Sequence, residues 1–274
     1  MNNFSSGDVV AQVVKLHYYR SGGALMPLVL VHGITDDGLC WTPVAEVLSK
    51  NFDVIMVDMR GHGKSEAPEA GYTLGNLAGE LADLIRVLGL EKPILLGHSM
   101  GAIASMLLAG LFPDVPRAIL LEDPPPFWCP VPQVVQDNDI RNGLEGWIDG
   151  NKRKTSTDLY AEGRTNAAWS EAELEPWVNS KHRYSPKIVE LVHPKDMTSI
   201  DFPNCMQHIT SPVLLLSSDK QMGAASSPEE IEKLKPWIPQ LQLAHVTGAG
   251  HNIRRDQFER YMQIVNRFLA EFQA

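Results

Sequence analysis

The sequence predicts an α/β protein built on a mostly parallel β-sheet that is covered by helices on both faces. Short apolar segments typical of buried strands alternate along the chain with longer segments whose apolar residues recur every three or four positions. The 274 residues, 44% of them hydrophobic, are enough for one sizeable core. We therefore expect one sheet-centred domain that carries an insertion.

The predicted strands are short and apolar, and amphipathic helices separate most of them. The clearest helix begins after Thr73, a candidate N-cap, and ends at Gly89. The final helix begins near Asp256 and places its aromatic and apolar residues along one stripe. An eight-stranded sheet is expected, in which the pattern locates seven strands: Val13–Tyr19, Pro27–Val31, Asp53–Val57, Pro93–Leu96, Ala118–Leu121, Val213–Leu216 and Leu241–Val246.

The alternation of strands and helices breaks once, in the region 124–211. This region has no convincing buried strand, prolines cluster at its start, and short helical segments rich in Trp and Tyr follow. The pattern predicts a helical cap (a lid) inserted after the sixth strand. The remaining residues, 1–123 and 212–274, are expected to form the core.

Composition excludes several classes of function. The net charge of −9, with no stripe of Lys and Arg, argues against a nucleic-acid partner. The sequence contains no run of eighteen apolar residues, so no membrane span is predicted. Three scattered cysteines fit neither a disulfide framework nor a zinc site, so a cytoplasmic location is expected. We expect a monomer or homodimer that acts on a small molecule. We expect no metal and no organic cofactor.

The segment Gly97-His98-Ser99-Met100-Gly101 connects a predicted buried strand to a predicted buried helix. In so tight a turn the serine backbone is strained, and the two glycines remove Cβ atoms that would collide with the strand and the helix. The hydroxyl then projects above the sheet edge, while the backbone N–H of Met100 points towards the group under attack. The segment therefore predicts a nucleophilic serine.

A histidine at the same sheet edge is the expected base. His251 follows the last strand in a glycine-rich loop, and an imidazole can take the Ser99 proton and return it to a leaving group. His32 ends the third strand and is interpreted as holding a turn, so that the N–H of Ile34 completes an oxyanion hole with that of Met100. Two other histidines are interpreted as structural: His62, in a turn, and His98, beneath the serine.

Four motifs follow one another along the chain: His32-Gly33, Asp58-x-Arg60-Gly61-x-Gly63-x-Ser65, Gly97-His98-Ser99-Met100-Gly101 and Gly250-His251. In this order and spacing the chain resembles the lid-bearing branch of the α/β-hydrolase superfamily over nearly all of its length outside the cap. The resemblance implies the α/β-hydrolase fold and a Ser-His-acid triad. Epoxide hydrolases and dehalogenases of this superfamily carry an aspartate in place of Ser99, so the serine implies acyl chemistry.

The acidic member of the triad departs from the common pattern. Most relatives carry it after strand seven, where the usual position here is Gln221, and Asp219 lies two residues earlier. Some relatives carry it after strand six, which matches Asp123. Since neighbouring strand residues point to opposite sides, only one of Glu122 and Asp123 can face His251. We favour Asp123, with Asp219 and Glu122 as alternatives.

The substrate is only broadly constrained by the sequence. An aromatic-rich cap favours a small, partly apolar carboxylic ester or lactone, hydrolysed through an acyl-enzyme, with Trp128 and Trp147 expected to contact it. These aromatic residues could instead form the cap's own core. An amide or carbon–carbon bond hydrolase of a ring-cleavage product is the alternative, with Arg164 or Lys181 binding a substrate carboxylate. A ligand-binding receptor with the same fold is a third reading.

Overall fold

The computed structural model describes residues 4–129, 137–165, 168–192 and 200–273. Its centre is an eight-stranded sheet in the order β1-β2-β4-β3-β5-β6-β7-β8. The strands from β3 onwards pair in parallel, and only the β1-β2 and β2-β4 pairs are antiparallel. The predicted α/β-hydrolase fold is therefore confirmed. The strands are β1 (Ser5–Ala11), β2 (Val14–Arg20), β3 (Pro27–Val31), β4 (Asp53–Val57), β5 (Ile94–His98), β6 (Ala118–Glu122), β7 (Val213–Ser218) and β8 (Leu241–Val246).

The strand that the pattern did not locate is β1, at the edge of the sheet. Only Val9 and Ala11 of its seven residues are buried, so it lacks the apolar run by which the other strands were found. It forms a hairpin with β2 in which Gln12 takes a positive φ of 52°. Its structure depends on pairing with its neighbour rather than on its own composition.

Helices cover both faces of the sheet because successive strand residues point to opposite sides. Val29 and Val31 pack with one set of helices, while Leu28 and Leu30 pack with the other. The α-helices are α1 (Thr42–Leu48), α2 (Leu74–Val87), α3 (Met100–Leu111), α4 (Asp137–Arg153), α5 (Ser156–Gly163), α6 (Glu171–Lys181), α7 (Phe202–Met206), α8 (Pro228–Glu232), α9 (Ile253–Asp256) and α10 (Phe258–Leu269). Short 3₁₀ segments occur at Gly38–Trp41, Pro186–Val192, Lys220–Met222 and Ala270–Phe272.

Two predicted helices can be compared directly with the structure. Thr73 caps α2, since its side chain accepts a hydrogen bond from the Asn76 amide, and Gly89 follows the helix with φ of 61°. The last helix, expected to begin near Asp256, is α10, which begins at Phe258. The short helix α9 precedes it and is separated from it by Gln257, with φ of −139°. The apolar stripe of α10 is buried as expected.

Between β6 and β7 the described residues form the helices α4 to α7 and a 3₁₀ segment, with no strand among them. Part of this region packs on itself: Leu159, Trp177 and Val178 form a small cluster against Tyr160 and Trp169. The division into a core and a cap stays a prediction. Among the described residues, no helix is both long and apolar enough to cross a membrane.

Candidate active site

Ser99 lies between β5 and α3 with φ of 53° and ψ of −115°, a strained conformation for a residue with a side chain. Gly97 and Gly101 are required because neither position has room for a Cβ atom. A Cβ on Gly97 would lie 2.3 Å from the carbonyl oxygen of Gly101, and one on Gly101 would lie 2.2 Å from the carbonyl oxygen of Val31. The helix backbone thus approaches the strands as closely as atoms allow, which raises Ser99 above the sheet edge.

His251 lies within hydrogen-bond reach of the serine, with 2.9 Å between its Nε2 and Ser99 Oγ. Its loop is fixed at two points. The Gly250 amide donates to the Asp256 carboxylate at 2.8 Å, and His98 Nε2 donates to the carbonyl oxygen of His251 at 2.9 Å. The histidine beneath the serine therefore supports the loop that carries the expected base.

Asp123 accepts a hydrogen bond from His251 Nδ1, with 2.6 Å between that nitrogen and Oδ2. Since a carboxylate only accepts, Nδ1 carries the proton and Nε2 is left free to accept one from Ser99. The Ala225 amide donates to the same Oδ2 at 2.7 Å. Asp123 itself has φ of 41°, a conformation that the sequence pattern did not indicate.

The two alternative carboxylates have other partners. Glu122 is fully buried and accepts hydrogen bonds from both the backbone amide and the guanidinium of Arg254, at 2.9 and 3.0 Å. Asp219 accepts from His245 Nε2 at 3.0 Å and from the Gly248 amide at 2.7 Å. Of the three candidates, Asp123 is the one that the structure brings to His251.

The two expected oxyanion donors belong to a turn and to a helix terminus. The Asp36 amide donates to the Gly33 carbonyl at 3.1 Å and closes the turn 33–36, called here the oxyanion turn, in which Ile34 is the second residue. Gly33 packs on the serine, since a Cβ there would lie 3.3 Å from Ser99 Cβ. Met100 is the first residue of α3, where an amide has no acceptor within the helix. Ile34 thus adjoins a residue that packs on Ser99 and Met100 adjoins Ser99 itself, and their role as oxyanion donors stays a prediction.

His32 holds the oxyanion turn as the sequence suggested. Its Nδ1 donates to the carbonyl oxygen of Gly33 at 2.8 Å, and its Nε2 accepts from the Met59 amide at 3.0 Å. The His62 ring packs against it with 4.8 Å between centroids. Both rings are fully buried, and burial lowers the pKa of both imidazoles.

We expect His62 to make the fold less stable in acid. Burial lowers its pKa to about 3 in the folded protein, whereas an unfolded histidine titrates near 6.5. As the pH falls from 7 to 5, the unfolded chain binds a proton that the folded chain does not, which lowers the free energy of unfolding by about 2 kcal/mol. Urea unfolding at pH 7, 6 and 5 measures this loss. In His62→Gln the loss should be smaller by that amount, and identical pH slopes would contradict the assignment.

The cap residues expected to contact substrate occupy different environments. Trp128 is 5% exposed and donates from Nε1 to the carbonyl oxygen of Glu230 at 2.8 Å, whereas Trp147 on α4 is 44% exposed. Their contact with a substrate stays a prediction. The two candidate cations are already paired: Arg164 binds Glu171 at the surface, and Lys181 is buried against Asp36.

Sequence reasoning missed a group of buried charges behind the site. Asp36 accepts hydrogen bonds from Lys181, Arg254 and Arg255, all of which are buried. The available signal was the pair of adjacent arginines directly after the His251 loop. Their acidic partner lies more than two hundred residues away in sequence, so only the fold reveals the pairing.

The sequence and fold of this chain are similar to those of known proteins. The family model for the alpha/beta hydrolase fold matches residues 26–254. The chain is 30% identical to an N-formylmaleamate deformylase of Pseudomonas putida, over 97% of this chain and 96% of that protein. It is 27% identical to a 2-(acetamidomethylene)succinate hydrolase of Mesorhizobium japonicum, over 91% and 89% of the two chains. A solved N-formylmaleamic acid deformylase of Pseudomonas putida superposes with a TM-score of 0.76 at 25% identity, covering 95% of this chain and 100% of that one. This chain therefore belongs to the alpha/beta hydrolase fold family.

Proposed function

We propose that this protein is a serine hydrolase that cleaves the amide bond of a small N-acyl compound bearing a carboxylate. The observation that carries the proposal is the continuous hydrogen-bonded chain Ser99–His251–Asp123, with 2.9 and 2.6 Å between successive partners. Such a chain lets a neutral hydroxyl act as a nucleophile, because the histidine takes its proton as the new bond forms.

The proposed reaction has two steps, acylation of Ser99 and hydrolysis of the acyl-enzyme. Ser99 Oγ attacks the acyl carbon while its proton passes to His251 Nε2, and the proton is then given to the departing nitrogen, which leaves as the free amine or amide. Water next donates a proton to His251 and attacks the acyl-enzyme, which releases the carboxylic acid and restores Ser99. In both steps Asp123 stabilises the imidazolium, and the amides of Ile34 and Met100 stabilise the oxyanion.

Two relatives guide the choice of an amide rather than the ester or lactone that the sequence favoured. The deformylase and the succinate hydrolase match almost the full length of this chain, and both names denote a short N-acyl group on a small carboxylate. Residues 124–211 are proposed to form the cap over this substrate. The three cysteines are all free, which supports a reducing, cytoplasmic location.

A substrate comparison tests the proposal. N-formylmaleamate and 2-(acetamidomethylene)succinate are assayed beside their methyl esters, p-nitrophenyl acetate and a simple lactone. We expect kcat/KM for at least one charged N-acyl compound to exceed that for its neutral methyl ester by about a hundredfold, because a site built for a carboxylate discriminates strongly against its absence.

Controls separate the possible results of this comparison. Turnover must be lost in Ser99→Ala, whose residual rate measures the background of uncatalysed hydrolysis. Faster turnover of the ester or lactone would return the assignment to carboxylic ester hydrolysis. Tight binding of a ligand without turnover of any compound would instead support a receptor.

A further inference from the structure

Lys181, at the end of cap helix α6, makes an unusual set of contacts for a lysine. Its side chain is 1% exposed. The ammonium group donates to the carbonyl oxygen of Thr35 at 3.1 Å, to Thr35 Oγ1 at 3.3 Å and to Asp36 Oδ1 at 3.0 Å. It also lies 5.0 Å from the centre of the Trp177 ring. One cap side chain is therefore hydrogen-bonded to both residues of the oxyanion turn that follow Ile34.

The contact to Thr35 falls on a strained position. Thr35 has φ of 68°, in the left-handed region that residues with a side chain rarely adopt. Such a conformation persists only where surrounding contacts hold it. The bond from Lys181 to the Thr35 carbonyl is one of these contacts. The Thr35 carbonyl and the Asp36 N–H belong to one peptide unit. That N–H donates to the Gly33 carbonyl at 3.1 Å, and the Gly33 carbonyl shares a peptide unit with the Ile34 N–H. The bond from Lys181 therefore acts on the Ile34 amide through this turn hydrogen bond.

The same lysine belongs to a larger buried charge cluster, formed by Asp36, Glu122, Lys181, Arg254 and Arg255. Asp36 Oδ2 accepts from Arg254 at 3.1 Å and from Arg255 at 2.8 Å, and Arg254 also binds Glu122 at 3.0 Å. Burial would raise the pKa of Asp36, but the nearby cations Arg255, Lys181 and Arg254 outweigh burial and hold that pKa well below its ordinary value. Asp36 is thus charged and surrounded by cations.

This cluster adjoins three parts of the candidate site: the oxyanion turn, Asp123 and the His251 loop. Glu122 precedes Asp123 in the chain, and the two arginines lie on α9, directly after the His251 loop. A second link runs from the cap, because Trp169 Nε1 donates to Asp256 at 2.7 Å and Asp256 in turn accepts from the Gly250 amide. Buried ion pairs give little net stability compared with apolar side chains of the same size. Here they join the oxyanion turn, β6, α6 and α9 to one another.

We propose that Lys181 is a positioning residue for the oxyanion hole, which couples cap helix α6 to the orientation of the Ile34 amide. The proposal rests on the proposed function, since it requires Ser99 chemistry with the Ile34 amide as an oxyanion donor. It differs from the expectation that Lys181 binds a substrate carboxylate, because the ammonium is buried and already occupied by Thr35 and Asp36.

The test is a double-mutant cycle between the cap and the turn. Lys181→Met removes the ammonium, and Ile34→Pro removes the amide hydrogen, at a turn position that proline favours. Ile34→Val retains that hydrogen and serves as its control. Lys187→Met is the matched cap lysine, because Lys187 pairs with Glu69 at the surface. Each variant is measured by p-nitrophenyl acetate hydrolysis and by its rate of labelling with an alkyl fluorophosphonate, with thermal melts to confirm folding.

Loss of one oxyanion donor costs about 10²- to 10³-fold in kcat, and misplacing one costs up to about 10²-fold. We therefore expect Lys181→Met to lower kcat and the labelling rate by about 10- to 100-fold with little change in KM. The double variant Lys181→Met with Ile34→Pro should be no slower than Ile34→Pro alone. Ile34→Val and Lys187→Met should both behave as wild type. If Lys181→Met fails to fold, Lys181→Gln replaces it, because it removes the charge and places its nitrogen one bond closer to the backbone, and the same losses are expected.

Three results would overturn the proposal: a folded Lys181→Met with wild-type kcat, a rise in KM alone, or independent losses that multiply in the double variant. The fluorophosphonate separates these from failure of the proposed function, because it reacts with an activated serine whatever the natural substrate is. If the wild-type protein is not labelled at Ser99, the proposed function is wrong. If it is labelled and Lys181→Met reacts at the same rate, only the role of Lys181 is wrong.

Discussion

Ser99→Ala is expected to lower kcat by on the order of 10⁵- to 10⁶-fold, since it removes the atom that forms the acyl-enzyme. The residual rate would come from the Ile34 and Met100 amides and from substrate binding. The substitution deletes one oxygen at a position that is 7% exposed. Alanine also carries a Cβ, so the positive φ at this position strains the backbone as it does with serine. Single-turnover kinetics on the best substrate found, together with a thermal melt, measure the effect.

The chain contains a matched control for this prediction. Ser217 Oγ lies 3.2 Å from His245 Nδ1, and His245 Nε2 lies 3.0 Å from Asp219, so the same three residue types form a second hydrogen-bonded chain. Ser217 lies in strand β7, away from the strained turn and the oxyanion turn. Ser217→Ala should retain wild-type kcat within about twofold, as surface substitutions usually do. A comparable loss in both variants would mean that the effect of Ser99→Ala is not specific to its site, and wild-type kcat in Ser99→Ala would mean that the reaction does not depend on Ser99.

The sequence located the serine and histidine because local sterics identify them. Gly97 and Gly101 are needed because the strand and helix backbones come within van der Waals contact there. The spacing of the two glycines around the serine can be recognised in the sequence alone. The contact of Asp123 with His251 was harder to predict, because it depends on a positive φ at the end of β6 and on amides donated by Ala225 and Ser226 about a hundred residues later. Local pattern carries no information on such contacts.

The buried charge cluster marks the other limit of sequence reasoning. Lys181 was considered as a ligand for a substrate carboxylate because it is a cation in the predicted cap. Its burial arises from tertiary packing of α6 against the oxyanion turn, and its partners Thr35 and Asp36 lie almost 150 residues earlier. Strand β1 was missed for a related reason, since pairing with β2 rather than composition defines it.

Asp123→Asn is expected to lower kcat by about 10³- to 10⁴-fold without unfolding the protein. The reason lies in how Oδ2 is used, because it accepts from both His251 Nδ1 and the Ala225 amide. If the asparagine keeps its oxygen there, the histidine tautomer is right but the negative charge that stabilises the imidazolium is gone. If the amide turns over, its NH₂ group faces His251 Nδ1 and the Ala225 N–H, which favours the tautomer that cannot take the Ser99 proton. Either orientation slows both acylation and deacylation.

Asp219→Asn is the matched comparison, since it makes the same chemical change at the alternative carboxylate. Asp219 binds His245 and the Gly248 amide at the surface, so this variant should stay folded and retain kcat within about threefold. Steady-state kinetics and thermal melts on both variants, in one buffer, give the comparison. An inactive but folded Asp219→Asn beside a nearly wild-type Asp123→Asn would assign the acid to the loop after β7. Loss of activity in both would mean that Asp219 holds the loop leading to His251, because the Gly248 amide that it binds lies three residues before that histidine.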